Sequence, residues 1–344
     1  MTDLNPRPTV RLPDRGALAA AVPQLLGFRP AESLVVVSLH AHAGREVLGL
    51  TARADLPPPE HAASLAGSLA ASVLSSGPTA VLLLVVSEDD DGRELPHRAL
   101  LHEVVLAFHH RRVPVRDVLL VRGGRWWDYD CPQACCAPGA GTPLPGGTSE
   151  LAATSVFSGH VVEDDRAALA RRLAPTRSPG MAAACEEVGD ELARRTALEG
   201  WDAVVEEAWD ALLAAVEDAG TARTAPLSDR QVARLAWGLR DTDVRDRALT
   251  LALGDREPAA QALWTELTRR APTPLDAAPA TLLAVSAWLR GDGALANLAL
   301  DRALGSEPSH TLAGLMRTAL DACLPPDVVR EVIREAAGPL DAGR

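Results

Sequence analysis

The chain has 344 residues, room for two domains, and 47% hydrophobic against 23% charged residues is an ordinary globular balance. Its basic side chains other than histidine are 34 arginines and no lysine, which excludes a phosphate loop ending in Gly-Lys, a pyridoxal phosphate Schiff base and any lysine nucleophile. The formal net charge of −12 argues against general nucleic-acid binding.

Residues 9–160 alternate strand-like and helix-like segments. Thr9–Leu12 is a short β candidate, and Asp14 suits the N-cap of a helix from Gly16 to Leu26. The β-branched run Ser33 to Leu39 predicts a buried strand, and Glu46 to Leu56 alternates as a half-exposed one. The polar stretch His40 to Arg45 between them predicts a hairpin tip. Pro57 to Pro59 open a helix to about Ser75, stopped by Gly77-Pro78. Thr79 to Ser87 is the most hydrophobic strand, and the acidic turn Glu88 to Asp91 leads to a helix over Pro96–Arg112. Val115 to Arg122 returns as a strand. This order predicts an α/β domain over 1–160, a mostly parallel sheet with packed helices.

After about residue 163 the strand signal stops. A helical connector over 161–224 is followed by short helices from about Asp229, Thr242, Pro258, Pro279, Gly293, Ser309 and Asp327. Residues 277–310 fit the small positions of a tetratricopeptide-like helical hairpin: Ala284, the turn Gly291-Asp292, Ala296, Ala303 and Pro308. Residues 225–344 are therefore expected to form an all-α, helical-repeat-like domain. Residues 161–344 carry 21 Arg against 30 acids, a surface for a basic protein partner.

Gly123 to Leu144 departs from this pattern. Trp126, Trp127 and the sole tyrosine, Tyr129, precede Cys131, Cys135 and Cys136, and glycines and prolines predict an irregular loop. Three readings are open: a thiolate metal site with a nearby histidine or Asp130, a redox-active pair, or thiols packed beneath an aromatic cap. Packing is the working expectation, with no metal, no cofactor, and at least two thiols buried and reduced. Arg29 and Ser33 flank the first long strand as possible anion and ligand contacts, and Arg53 and Asp55 share one strand face.

Leu25 to Val37 (LLGFRPAESLVVV), Arg53 to Pro57 (RADLP) and Arg125 to Leu144, with its aromatic and cysteine cluster, resemble the domain-of-unknown-function 4192 family, typical of actinobacteria. The resemblance implies a family and no assigned activity.

The longest apolar runs, such as Val81 to Val86, are too short for a bilayer, the first residues lack a signal-peptide layout, and five cysteines do not make a disulfide framework. The expectation is a cytoplasmic, membrane-independent interaction or ligand-binding protein with a helical partner-binding half. The alternative is an enzyme or a redox or metal sensor using the Trp126–Cys136 segment.

Overall fold

A computed structural model describes residues 14–42, 44–90, 92–146, 162–221 and 226–337. The candidate strand Thr9–Leu12 lies outside them. The chain divides into two units, Met1–Ala168 and Leu169–Arg344.

The first unit begins with helix α1 (Arg15–Leu26). The Asp14 carboxylate accepts from the Ala17 N–H at 2.8 Å, and Gly27, at φ +75°, ends the helix in the left-handed region. Strands β1 (Ser33–His42) and β2 (Arg45–Asp55) form the expected antiparallel hairpin, in register from Ser33↔Asp55 to His42↔Arg45. Helix α2 (Ala62–Leu74) returns the chain to β3 (Ala80–Val86), which lies beside β1 and antiparallel to it. Helix α3 (Arg98–His109) then carries it to β4 (Val115–Arg122), parallel to β3.

Two further strands follow. Gly123 and Gly124 both hold positive φ, as a two-residue hairpin turn requires, and β5 (Arg125–Asp128) folds back on β4. The short β6 (Thr142–Pro143) pairs with β5. The sheet order is β2-β1-β3-β4-β5-β6.

The sheet is therefore mixed, and the expected mostly parallel arrangement is corrected. Only β3 and β4 are parallel neighbours; α2 also carries the chain from β2 to β3 without change of direction, but antiparallel β1 lies between those two strands. A hairpin joins β1 to β2 and another joins β4 to β5, and each reverses the chain. Leu34, Val36, Leu83, Val85 and Leu120 point to the face where Val104 and Phe108 of α3 and Val73 of α2 complete the core. Val35, Val37, Leu84 and Leu119 fill the opposite face, equally buried.

The second unit is helical. Its helices span Met181–Glu199, Trp201–Ala219, Asp229–Gly238, Thr242–Leu249, Glu257–Arg270, Ala277–Arg290, Gly293–Ser306, Thr311–Asp321 and Pro326–Ala337. Among the described residues from 164 onward there is no strand. The starts follow the sequence signals closely because the caps are local: Ser228 and Gln231 form a capping box, and Asp292 accepts from the Leu295 N–H.

Every residue from Ala277 to Leu289 is buried. That helix carries few polar groups, and the helices 257–270 and 293–306 form its main contacts. The alanines singled out in sequence, Ala284, Ala296 and Ala303, lie at 1%, 0% and 0% exposure. At its start Asp276 is fully buried and accepts from Arg302 Nε at 2.7 Å and from the Ser306 hydroxyl.

Asp276→Ala leaves that guanidinium without its counter-charge. We expect a loss of about 3 kcal/mol in urea unfolding of the full chain, with the m-value unchanged.

Candidate functional site

Strand alternation sends neighbouring aromatics to opposite faces of the sheet. Trp127 is buried on the α2/α3 side and donates from Nε1 to the Ala137 carbonyl at 3.0 Å. Gly141, at φ +71°, lies against its ring, where an added Cβ would approach to 2.4 Å. The Arg122 guanidinium sits 4.8 Å from the ring centroid. Trp126 faces α1, close to Gly16. Tyr129 donates to the Pro96 carbonyl at 2.7 Å, and burial pushes its phenol above the usual range. The stretch expected to be an irregular loop thus begins as a strand, and residues 129–141 continue from it over the core.

The three thiols converge. Cys131 Sγ lies 4.0 Å from Cys135 Sγ, Cys135 Sγ lies 3.9 Å from Cys136 Sγ, and all three are within 4.8 Å of one another. A 3₁₀ turn over Ala134–Cys136 brings the adjacent pair together. The expectation of two buried thiols is corrected: Cys136 is buried, Cys131 is half-buried and Cys135 is exposed. The turn that gathers the sulfurs leaves Cys135 on its outer side.

Their protonation differs. The Gln133 backbone N–H holds the Cys131 thiol below its ordinary value. Burial pushes Cys136 up to about 11, although the Asp128 N–H donates to its sulfur at 3.4 Å. Asp128 is itself buried and accepts from Arg15 of α1 at 2.7 Å. All five cysteines are free thiols.

The residues chosen near β1 gather elsewhere. Arg53 Nε donates to Ser33 Oγ at 2.8 Å and its guanidinium pairs with Asp55 at 2.5 Å. Ser33 and Arg53 follow the parity of Val35, on the face opposite the thiols. Arg29 is exposed, and its backbone N–H donates to the Glu163 carbonyl at 3.0 Å. These residues and the thiols do not form one site.

The sequence reasoning missed a further cluster at the carboxyl end of β3. Ser87 is 1% exposed. Its hydroxyl donates to Glu32 Oε2 at 2.8 Å and accepts from the Asp89 N–H at 3.2 Å. His97 Nε2 lies 3.1 Å from that hydroxyl and 3.5 Å from Asp89 Oδ2. Since the serine proton goes to Glu32, the imidazole nitrogen is the donor. Glu32, at φ +43°, and His97, at φ +59°, both occupy the left-handed region. Such backbone costs about 1–3 kcal/mol per residue and concentrates at functional sites. Glu32 is 55 positions from Ser87, and only the register Ser33↔Val86 unites them. The available signals were an acidic turn directly after the most hydrophobic strand and a glutamate directly before its partner strand.

Among the described residues no helix is long and apolar enough to cross a membrane. Residues 16–327 match the family described as Domain of unknown function (DUF4192), in agreement with the resemblance carried by the N-terminal motifs. No curated protein and no solved structure matches the chain.

The thiol environments predict an order of alkylation. In the native, reduced chain iodoacetamide should modify Cys131 and Cys135 well before Cys136, as read by peptide mass spectrometry. Lowering the pH from 8 to 7 should slow Cys131 by less than the roughly tenfold fall of an unperturbed thiol (pKa about 8.5).

Proposed function

We propose a binding function for this chain, which belongs to the DUF4192 family, and centre it on the carboxyl edge of β3. One observation carries the reading: two residues in left-handed backbone, Glu32 and His97, converge on one buried hydroxyl at the end of the parallel strand pair. Open α/β sheets bind ligands outside the carboxyl ends of such strands. Glu32, Glu88, Asp89 and Asp90 surround the position, against Arg122 and His97, so the edge favours a compact positive charge. Carboxylate oxygens of Glu32 and Asp89 and a ring nitrogen of His97 lie within 4.8 Å of one another, and the carboxylate pair suits a hard divalent cation or a protonated amine.

Calorimetric titration of the full chain with Mn²⁺ and, separately, with putrescine distinguishes the two sources. We expect one of them to bind, and Glu32→Gln, an exposed position, to weaken it by about tenfold or more, roughly 1.4 kcal/mol. Failure of both, or binding unchanged in Glu32→Gln, overturns the reading.

A second surface belongs to the same reading. The helical half, with the tetratricopeptide-like positions of residues 277–310, serves as a partner-binding module in a reducing, cytoplasmic setting. Support comes from its acidic balance and from Val328 and Val332, one helical turn apart and 45% and 57% exposed. An amphipathic, Arg-rich synthetic peptide should bind the full chain and dissociate at high salt. Val328→Asp combined with Val332→Asp should abolish that binding without changing the circular dichroism spectrum; unchanged binding would refute this part.

A further inference from the structure

The edge of β3 leaves the thiol cluster without a role, and the cluster has a geometry of its own. A tetrahedral zinc site with Zn–S bonds of about 2.3 Å places its sulfurs about 3.8 Å apart. Cys135 Sγ already stands 4.0 Å from Cys131 Sγ and 3.9 Å from Cys136 Sγ. A disulfide needs sulfurs about 2.05 Å apart, so both pairs made by Cys135 are spaced for a shared ion and not for a bond, and Cys131 and Cys136 lie within 4.8 Å of each other.

The surroundings agree. Adjacent cysteines ordinarily diverge, but in the 3₁₀ turn over Ala134–Cys136 the two sulfurs stand 3.9 Å apart. Backbone N–H groups are directed at two of the sulfurs, from Gln133 to Cys131 and from Asp128 to Cys136. Amide donors of this kind hold thiolates in place and moderate their charge. Asp128, whose carboxylate is the charged group that acts on Cys131, is itself neutralised by Arg15, which also pairs with Asp117. Cys136 is anchored in the core with Trp127 and Tyr129, and Cys135 is exposed, which gives an ion its way in.

We propose that Cys131, Cys135 and Cys136 form a tris-thiolate site for one thiophilic d¹⁰ metal ion, of which Zn²⁺ is the reference case, with a fourth position open to a small exogenous ligand. Binding replaces three S–H bonds by three metal–sulfur bonds and releases three protons to solvent; no electron is transferred. The charged and titratable groups that act on the sulfurs are the three thiols themselves and Asp128 of β5, whose carboxylate Arg15 of α1 holds. Apparent affinity therefore rises with pH, because each thiol proton must leave. The proposal does not depend on a ligand at the edge of β3.

The test uses the full chain, reduced with a phosphine and cleared with a chelator. Cd²⁺ titration is followed by thiolate-to-metal charge-transfer absorption, and Zn²⁺ titration is run in two buffers of different ionisation enthalpy to count protons. We expect one ion per chain and close to three protons released. Cys135→Ser alters an exposed side chain, so its fold is retained. It should cut the absorption by about a third and the affinity by at least about a hundredfold, at or beyond the outer-shell range of roughly 10- to 100-fold. Cys323→Ser, at a cysteine of the second unit, should change neither. Absent charge transfer, full affinity in Cys135→Ser, or loss of binding in Cys323→Ser would each overturn the proposal. So would a chain that takes up no Cd²⁺ yet forms a disulfide within the cluster under dilute peroxide.

Discussion

The register between β1 and β3 constrains the whole α/β unit. Ser33 stands opposite Val86, so the residue before β1 and the residue after β3 emerge at the same edge and on the same face. That single alignment places Glu32 on Ser87. It also fixes the parity by which Leu34, Val36, Leu83 and Val85 meet α2 and α3. A slip of one residue would turn this set to the other side and separate the carboxylate from the hydroxyl. The glycine pair at 123 and 124 plays the equivalent part for β5. It returns the strand so that Trp127 and Tyr129 join the α2/α3 core, while Trp126 and Asp128 face α1.

Local signals carried most of the element boundaries. The N-cap Asp14, the hairpin between 40 and 45, the Pro-Gly punctuation after β2 and α2, and the capped starts of the C-terminal helices all act within a few residues. Such information is present in a sequence window. Strand direction is not, because it depends on which neighbour a strand finds. The chain alternates strands and helices as a parallel sheet does, yet two hairpins at its margins reverse it. β5 went unread for a related reason: four residues rich in tryptophan and flanked by glycine resemble a loop until β4 is available as a partner.

The site shows the same division. Cys131, Cys135 and Cys136 stand close in sequence, and their gathering needs only a short turn. The pair Arg53 and Ser33 also meets, through the β1–β2 register. By contrast, Glu32 comes from the α1–β1 connection and Ser87 and His97 from the two ends of the β3–α3 connection, and neither their spacing nor their residue types mark them as partners. In the helical unit, a helix buried from Ala277 to Leu289 gives the surrounding helices a common support. Its Thr281 hydroxyl turns inward to the Ala277 carbonyl at 2.8 Å, so that polar side chain needs no solvent.

Arg122 ties the two ends of this picture together. Its guanidinium donates to the Asp89 carbonyl at 2.7 Å and to the Pro138 carbonyl at 2.9 Å while lying over Trp127. One planar cation thus spans the acidic turn and the segment that follows the thiols and packs on Trp127. A displacement of the turn must either drag the Pro138 carbonyl along or give up one of two charge-assisted bonds. The two regions consequently share a mechanical joint. Any free energy spent in shifting one is felt at the other, equally in both directions, because thermodynamic linkage has no preferred sense.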